Sequence, residues 1–83
     1  MGTRHITINV PDDLLEAEHL DEASFARELS LLAATKLYEL GRLSSGRAAE
    51  LAGMSRIEFL DALKRFHVFP LEAELNDLES GNG

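Results

Sequence analysis

A segment near the N-terminus, residues 4–10, alternates polar and apolar side chains and is rich in β-branched residues. This period of two predicts a short β-strand, which Pro11 ends. A lone strand cannot satisfy its own backbone hydrogen-bonding groups. The strand must therefore pair with another copy of the chain or with a second extended segment, for which the candidate is a short C-terminal strand near residues 67–71.

The patterns between these two segments are helical. Pro11 suits the first position of a helix, and Gly41 suits the left-handed residue after a last turn. Ser55 and Glu58 have the spacing of a capping box, in which each side chain accepts a hydrogen bond from the other residue's amide. The sequence predicts a mainly α fold, in which the N-terminal strand precedes about four helices. Their approximate spans are Pro11 to Glu18, Asp21 or Ser24 to Leu40, Ser44 or Ser45 to Gly53, and Ser55 to Phe66.

The second predicted helix carries apolar residues on two sides. One stripe is approximated by Phe25, Leu29, Leu32, Leu37 and Leu40, and the other by Leu31, Ala34 and Tyr38. Such a helix is either the buried centre of its domain or is shared between the core and a dimer contact, and both interpretations stay open. The candidate dimer contacts are Ile6, Ile8, Val10, Leu31 and Tyr38.

The chain has 83 residues and a mass of 9.2 kDa. A chain of this length forms one small domain, predicted at residues 1–70, and buries only about 60% of the surface that it exposes when unfolded. Such a core is marginal, which favours a homo-oligomer. Residues 71–83 are acidic and end in Ser-Gly-Asn-Gly, so we expect a partly disordered tail.

Several function classes are excluded or disfavoured by composition. The chain has no cysteine, which excludes disulfides, thiolate metal sites and thiol nucleophiles. His5, His19 and His67 lack a second ligand at helical spacing, so no metal or cofactor is expected. The carboxylates lie on predicted outer helix faces and not in a cleft, and we expect no catalysis. The absence of a signal-peptide pattern and of a membrane-spanning run predicts a cytoplasmic protein without membrane contact.

The net charge of -7 is unevenly distributed along the chain. Residues 42–67 contain five basic and three acidic side chains, whereas residues 1–41 and 68–83 are both acidic. The overall charge argues against a protein that coats nucleic acid by neutralising phosphates. The basic segment is compatible with local phosphate contact, although an ordinary solvated surface has a similar balance.

Residues 46–59 have the pattern of a helix-turn-helix, a two-helix unit that many regulators use to bind DNA. Small Ala49 permits close approach of the helices, Gly53 forms the turn, and Phe59 fills the core from the second helix. A plain helical hairpin with a glycine turn matches part of the same pattern. DNA binding therefore stays a hypothesis at this point.

The candidate DNA-binding residues are Arg47, Ser55, Arg56, Lys64 and Arg65. An arginine at the start of the second helix is suited to reading guanine, and the other basic side chains are suited to holding phosphates. The same helix also presents Ile57 and Leu60, which make no hydrogen bonds, and Asp61, which repels phosphate. A monomer with this face would bind DNA weakly, so specific binding requires a dimer that spans two half-sites.

Five segments together carry a family resemblance: Val10–Asp13, Phe25–Leu29, Lys36–Ser44, Gly46–Ser55 and Glu58–Leu60. In these segments the chain resembles the UPF0175 family of small prokaryotic proteins. The resemblance covers about residues 5–70, and its most specific part runs from Leu37 to Leu60. Members commonly continue from the last helix into a Gly-x-Pro segment, and this chain has His67 where the glycine is frequent.

The resemblance implies an antitoxin-like protein of a type II toxin–antitoxin pair. Its partner would be a PIN-domain ribonuclease toxin, and its helix-turn-helix is the candidate binder of the operon's own promoter. An antitoxin needs a segment that occupies its toxin, and the acidic tail has candidate partner-binding residues at helical spacing: Leu71, Leu75 and Leu78. The alternative is that this stripe docks on its own domain or frays.

Two function classes therefore stay open. In the first, a homodimer binds operator DNA and a toxin. In the second, the module is a protein–protein interaction module or adaptor without DNA binding. Only the first class predicts sequence-specific DNA binding that weakens with salt.

Overall fold

The computed structural model describes residues 2–68, which form four α-helices and one 3₁₀-helix. In chain order these are α1 (Asp12–Glu18), α2 (Glu22–Glu39), α3 (Ser45–Ala52), α4 (Arg56–Ala62) and the 3₁₀-helix (Leu63–Phe66). The prediction of a mainly helical chain with about four helices is confirmed.

Helices α1 and α2 begin and end at residues whose chemistry fits those positions. Pro11 is the N-cap of α1, and two aspartates in the first turn place negative charge at the positive end of the helix dipole. The Asp21 carboxylate caps α2 by accepting a hydrogen bond from the Ser24 amide at 2.7 Å. After α2, Gly41 adopts a φ of 78°, a left-handed conformation that glycine tolerates.

Helices α3 and α4 are joined by a short turn, residues 53–55. The Ser44 hydroxyl caps α3, and the Ser55 hydroxyl caps α4 by accepting a hydrogen bond from the Glu58 amide. The Ser55 amide in turn donates to Glu58 Oε1 at 2.9 Å, which confirms the predicted capping box. Gly53 takes the turn with a φ of 71°, as the sequence predicts.

The hydrophobic core lies where one side of α2 meets α3 and α4. Its buried apolar residues are Leu31, Ala34, Tyr38, Ala48, Ala49, Phe59, Leu60, Ala62 and Leu63. The Tyr38 and Phe59 rings meet edge to face with their centroids 5.7 Å apart, which joins α2 to α4. Buried Thr35 satisfies its hydroxyl by donating to the Leu31 carbonyl at 2.8 Å. The core of the described residues is thus built from α2 to the 3₁₀-helix, and α1 contributes no buried side chain.

The two apolar stripes of α2 have different environments. Leu31 and Tyr38, which the sequence offered as dimer contacts, are buried in the core of the same chain. Both side chains belong to one core cluster with residues of α3 and α4, and they are only 6% and 3% exposed. On the other side of α2, Leu32 and Leu40 are 40% and 58% exposed.

Both predicted strands need correction. Residues 4–10 form no strand within residues 2–68, because every other regular element there is helical and offers no strand edge for backbone pairing. In the segment predicted near residues 67–71, His67 takes a left-handed conformation that ends the 3₁₀-helix, and Val68 follows without regular structure. Residues 69–71 lie outside the described residues.

The conformation of His67 leads to a stability prediction. Its φ of 56° costs a residue with a Cβ atom about 1–2 kcal/mol, whereas glycine pays only a smaller entropic cost. We expect His67→Gly to raise the free energy of unfolding by about 0.5–1 kcal/mol. Urea denaturation followed by circular dichroism measures this change. The control His5→Gly, at an exposed residue before α1, should bring no gain, and a loss of stability in His67→Gly would contradict the prediction.

The helix caps predict a pH dependence of stability. The pKa of the Glu58 carboxyl lies below its ordinary value because the Ser55 amide and then the Ser55 hydroxyl bond to its ionised form. The Ser24 amide and hydroxyl lower the pKa of Asp21 in the same way. A lowered carboxyl pKa stabilises the fold above the ordinary value, and this contribution is lost as pH falls through the lowered pKa.

We therefore expect the urea midpoint to fall as the pH drops below about 4, where exposed carboxyl groups protonate. In Glu58→Gln this acid-induced loss should be smaller, because one of the two groups whose pKa is lowered within residues 2–68 is removed. The measurement is the urea midpoint of both proteins at a series of acidic pH values. Parallel curves for the two proteins would show that the Glu58 cap does not contribute to the pH dependence.

Candidate interaction surfaces

Arg56, the first residue of α4, is held by α3. Its Nε donates a hydrogen bond to Ser45 Oγ at 2.9 Å, and Ser45 is 1% exposed. A hydrogen bond from a guanidinium is stronger than one between neutral groups. The residue that the sequence offered as a base reader therefore helps to hold the first turns of α3 and α4 together.

Arg47 and Lys64 lie on the surface, each beside a carboxylate one helical turn away. Arg47 Nη1 is 3.2 Å from Glu50 Oε2, and Lys64 Nζ is 3.3 Å from Asp61 Oδ1. Water screens such exposed pairs, so they add little to stability. Both cations are accessible to a phosphate, but the neighbouring carboxylates lower the attraction.

The remaining two candidate DNA-binding residues differ in their environment. The Arg65 guanidinium lies 5.4 Å from the centroid of the Phe66 ring and stays exposed. The Ser55 hydroxyl is used to cap α4. Of the five candidates, three are therefore exposed cations and two hold the turn between α3 and α4.

The apolar residues of α4 are divided between core and surface. Leu60, placed on the outer face from the sequence, is only 5% exposed and belongs to the core. Ile57 is 64% exposed in the first turn of α4, and Leu51 of α3 is 45% exposed. The surface around the turn is therefore partly apolar as well as basic.

A second surface is an open groove between residues 6–10 and α2. All five residues 6–10, polar and apolar, line it from the N-terminal segment, Phe25 and Leu29 line it from α2, and Leu51 of α3 also contributes. Ile6 and Ile8 are 86% and 61% exposed, so the groove leaves much apolar surface in water. We call this feature the N-terminal groove.

The sequence did not reveal two of these features. The Arg56–Ser45 bond joins residues eleven positions apart on different helices, and no local pattern indicates such a contact. The N-terminal groove combines the alternation of residues 4–10 with the exposed stripe of α2. Both patterns were visible in the sequence, but their proximity was not.

The remaining sequence predictions concern the C-terminal tail, metal sites and membrane-spanning helices. The candidate partner-binding residues Leu71, Leu75 and Leu78 belong to the part of the chain that the structure does not describe. Within residues 2–68, no group of three or more His, Asp or Glu side chains could hold a metal ion. In the same part of the chain, no helix combines the length and hydropathy needed to cross a membrane.

Known proteins similar to this chain belong to one family. Residues 1–81 match the family model described as "Uncharacterised protein family (UPF0175)". A UPF0175 protein of Archaeoglobus fulgidus is 37% identical over 75 residues, which cover 90% of this chain and 83% of the relative. A UPF0175 protein of Aeropyrum pernix is 35% identical over 65 residues, which cover 78% and 68% respectively. No solved structure matches the chain.

Proposed function

The chain belongs to the UPF0175 family, and from this premise we propose that it is the antitoxin-like member of a type II toxin–antitoxin pair. In this role it binds a PIN-domain ribonuclease toxin and, as a homodimer, contacts DNA of its own operon through α3 and α4. It acts without catalysis, in the cytoplasm where operator DNA is found. The toxin half of the proposal comes from the family resemblance, and the DNA half also has support in the described residues.

The observation that carries the DNA half is the arrangement of α3 and α4. The two short helices meet at a left-handed glycine, Gly53, and pack through the buried small residues Ala48 and Ala49 against Phe59. Two short helices joined at a glycine turn are one feature of a helix-turn-helix, and this supports the proposal that α4 acts as the recognition helix. The surface cations Arg47, Lys64 and Arg65 would then contact phosphates, which is a positioning role.

The arrangement of charged side chains favours weak DNA binding by a monomer and stronger DNA binding by a dimer. Each monomer offers three exposed cations on α3 and the 3₁₀-helix, and Glu50 and Asp61 oppose two of them. Two monomers double the number of phosphate contacts. A dimer is therefore required for affinity as well as for specificity.

The DNA half is tested by removing the opposing carboxylates. The double variant Glu50→Gln/Asp61→Asn leaves one of the three acidic side chains of residues 42–67. We expect it to bind a duplex from the upstream region of its own gene about tenfold more tightly, with a steeper salt dependence. Fluorescence anisotropy at several salt concentrations measures both quantities.

A matched control separates a local effect from a general charge effect. Glu16→Gln/Glu18→Gln changes the net charge equally, but at exposed positions on α1. It should leave the DNA affinity close to that of the wild type. Equal gains in the two double variants, or no specific binding by any of them, would contradict DNA contact through α3 and α4.

The toxin half is tested on a PIN-domain ribonuclease encoded beside this gene. The full chain should inhibit the cleavage of RNA by that enzyme. If Leu71, Leu75 and Leu78 contact the toxin, deletion of residues 71–83 should abolish inhibition, whereas their simultaneous replacement by serine should weaken it strongly. If the chain without residues 71–83 inhibits the enzyme as well as the full chain does, the toxin contact lies within residues 1–70. No inhibition by the full chain would contradict the toxin half.

The second candidate function is an adaptor that binds another protein and no DNA. The exposed side chain of Ile57 favours it, because the first turn of a DNA-reading helix usually carries hydrogen-bonding groups. Ile57→Ser separates the two candidates. It should leave the affinity for DNA within a few-fold if α4 binds phosphates, and it should weaken a protein complex that buries Ile57.

A further inference from the structure

Residues 4–10 have backbone groups without a protein partner and apolar side chains exposed to solvent in the single chain. Within the described part of the chain, no backbone hydrogen bond joins these residues to another element. Exposed Ile6 and Ile8 lie on the same side of the alternating pattern, and they line the N-terminal groove together with Thr7 and Asn9. A segment with free backbone groups and a continuous apolar side is a template for another strand.

We propose that a second copy of this chain fills the N-terminal groove, and that residues 6–10 of the two copies pair as antiparallel strands centred on Ile8. A two-fold axis places the same segment of each copy at the interface, so the two strands are necessarily antiparallel. The pairing supplies the N-terminal segment with backbone hydrogen-bond partners, which the rest of residues 2–68 in the same chain does not provide. It deepens the homodimer of the proposed function, and its tests do not depend on DNA or toxin binding.

The pattern of side chains selects the register. Residues directly opposite in an antiparallel pair lie on the same face of the sheet. With Ile8 opposite the partner's Ile8, Ile6 lies opposite the partner's Val10, and all three apolar side chains of each copy meet apolar neighbours. A register centred on Thr7 would instead place Val10 opposite the partner's Arg4.

Charge complementarity favours the same register. Arg4 is exposed, and no ion pair joins it to another side chain within residues 2–68. In the register centred on Ile8, Arg4 lies beyond the paired residues and towards the first turn of the partner's α1, which contains Asp12 and Asp13. An arginine next to these carboxylates is favourable, and the two-fold axis repeats the contact at the other end of the ribbon.

Helix α2 supplies the surface that such a ribbon needs. A two-stranded ribbon in water is marginal unless it packs on an apolar surface. Phe25 and Leu29 line the N-terminal groove opposite Ile6 and Ile8, so the apolar side of the ribbon packs on α2 of both copies. Thr7 and Asn9, which border the groove in the single chain, lie on the opposite side of the ribbon.

Single cysteines test the register, because the natural chain has none. In the proposed register, Ile8→Cys places two thiols directly opposite each other, within the short Cβ–Cβ range that a disulfide requires. After mild oxidation we expect Ile8→Cys to form a covalent dimer at least about tenfold faster than Thr7→Cys. A mixture of Ile6→Cys and Val10→Cys should form a mixed dimer, although neither variant alone crosslinks efficiently.

Sedimentation of the wild-type chain tests the occupant of the groove independently of any disulfide. We expect a dimer, and we expect Ile8→Asp to shift it to monomer with an unchanged helical spectrum, since Ile8 is outside the core. A monomeric wild-type chain at high micromolar concentration would overturn the proposal and leave the groove to another occupant. A dimer in which Thr7→Cys crosslinks as fast as Ile8→Cys would overturn the register.

Discussion

Replacing Phe59 by alanine should remove most of the stability of this domain. The Phe59 side chain is 0% exposed and is among the largest fully buried side chains of the described residues. Its ring meets Tyr38 edge to face at an interplanar angle of 89°, which ties α4 to α2. Truncation of a buried phenylalanine costs about 3–5 kcal/mol through lost burial and the cavity that remains. Because small domains have only about 5 kcal/mol to lose, we expect Phe59→Ala to be largely unfolded at 37 °C.

The measurement is urea denaturation followed by far-ultraviolet circular dichroism. The matched control is Ile57→Ala, two residues earlier on α4, where the side chain is 64% exposed. This variant should stay within about 0.5 kcal/mol of the wild type. A similar loss in both variants would indicate that the burial of Phe59 and its contact with Tyr38 do not determine the effect.

The helix boundaries were predictable because local chemistry sets them. The Asp21 carboxylate, the Ser44 and Ser55 hydroxyls, and Glu58 each bond to a backbone amide within three residues along the chain. Gly53 adopts the left-handed conformation for which its lack of a side chain suits it. Interactions of this range are fully contained in a short window of sequence.

Features that depend on tertiary or intermolecular contact were not predictable in the same way. The two stripes of α2 look alike in sequence, and only the packing of α3 and α4 decides that Leu31 and Tyr38 are buried. The alternation of residues 4–10 was correctly identified, but a strand also needs a partner, which the described part of one chain does not provide. The alternating pattern thus indicates a segment that can pair as a β-strand, and a second copy of the chain would provide the partner strand.

The position of Arg56 shows that a residue predicted to bind DNA can also have a structural role that the sequence does not indicate. An arginine at the start of a candidate recognition helix fits base reading, and the pattern alone gives no other role. In the structure its guanidinium is engaged with Ser45 of α3. Loss of DNA binding after replacement of Arg56 would therefore have two explanations, a lost base contact and a disturbed helix pair.

The second large effect is expected for Arg56→Ala. A hydrogen bond with a charged partner contributes about 1.5–3 kcal/mol, so we expect the free energy of unfolding to fall by about that amount. The side chain also loses its packing between the helices, because Arg56 is only partly exposed. Urea denaturation measures the loss. Arg65→Ala, which removes an exposed arginine from the 3₁₀-helix, is the control and should change stability by less than about 1 kcal/mol.

A double-mutant cycle with Ser45→Ala identifies the cause of the loss. If the bond between Arg56 Nε and Ser45 Oγ carries the effect, the two single losses should overlap, and the double variant should be more stable than their sum predicts. Additive losses would instead assign separate roles to the two side chains. The same cycle, measured as DNA affinity under conditions where all variants are folded, separates the two explanations for Arg56. A base contact would lower the affinity in Arg56→Ala but not in Ser45→Ala, whereas a purely structural role would lower it in both.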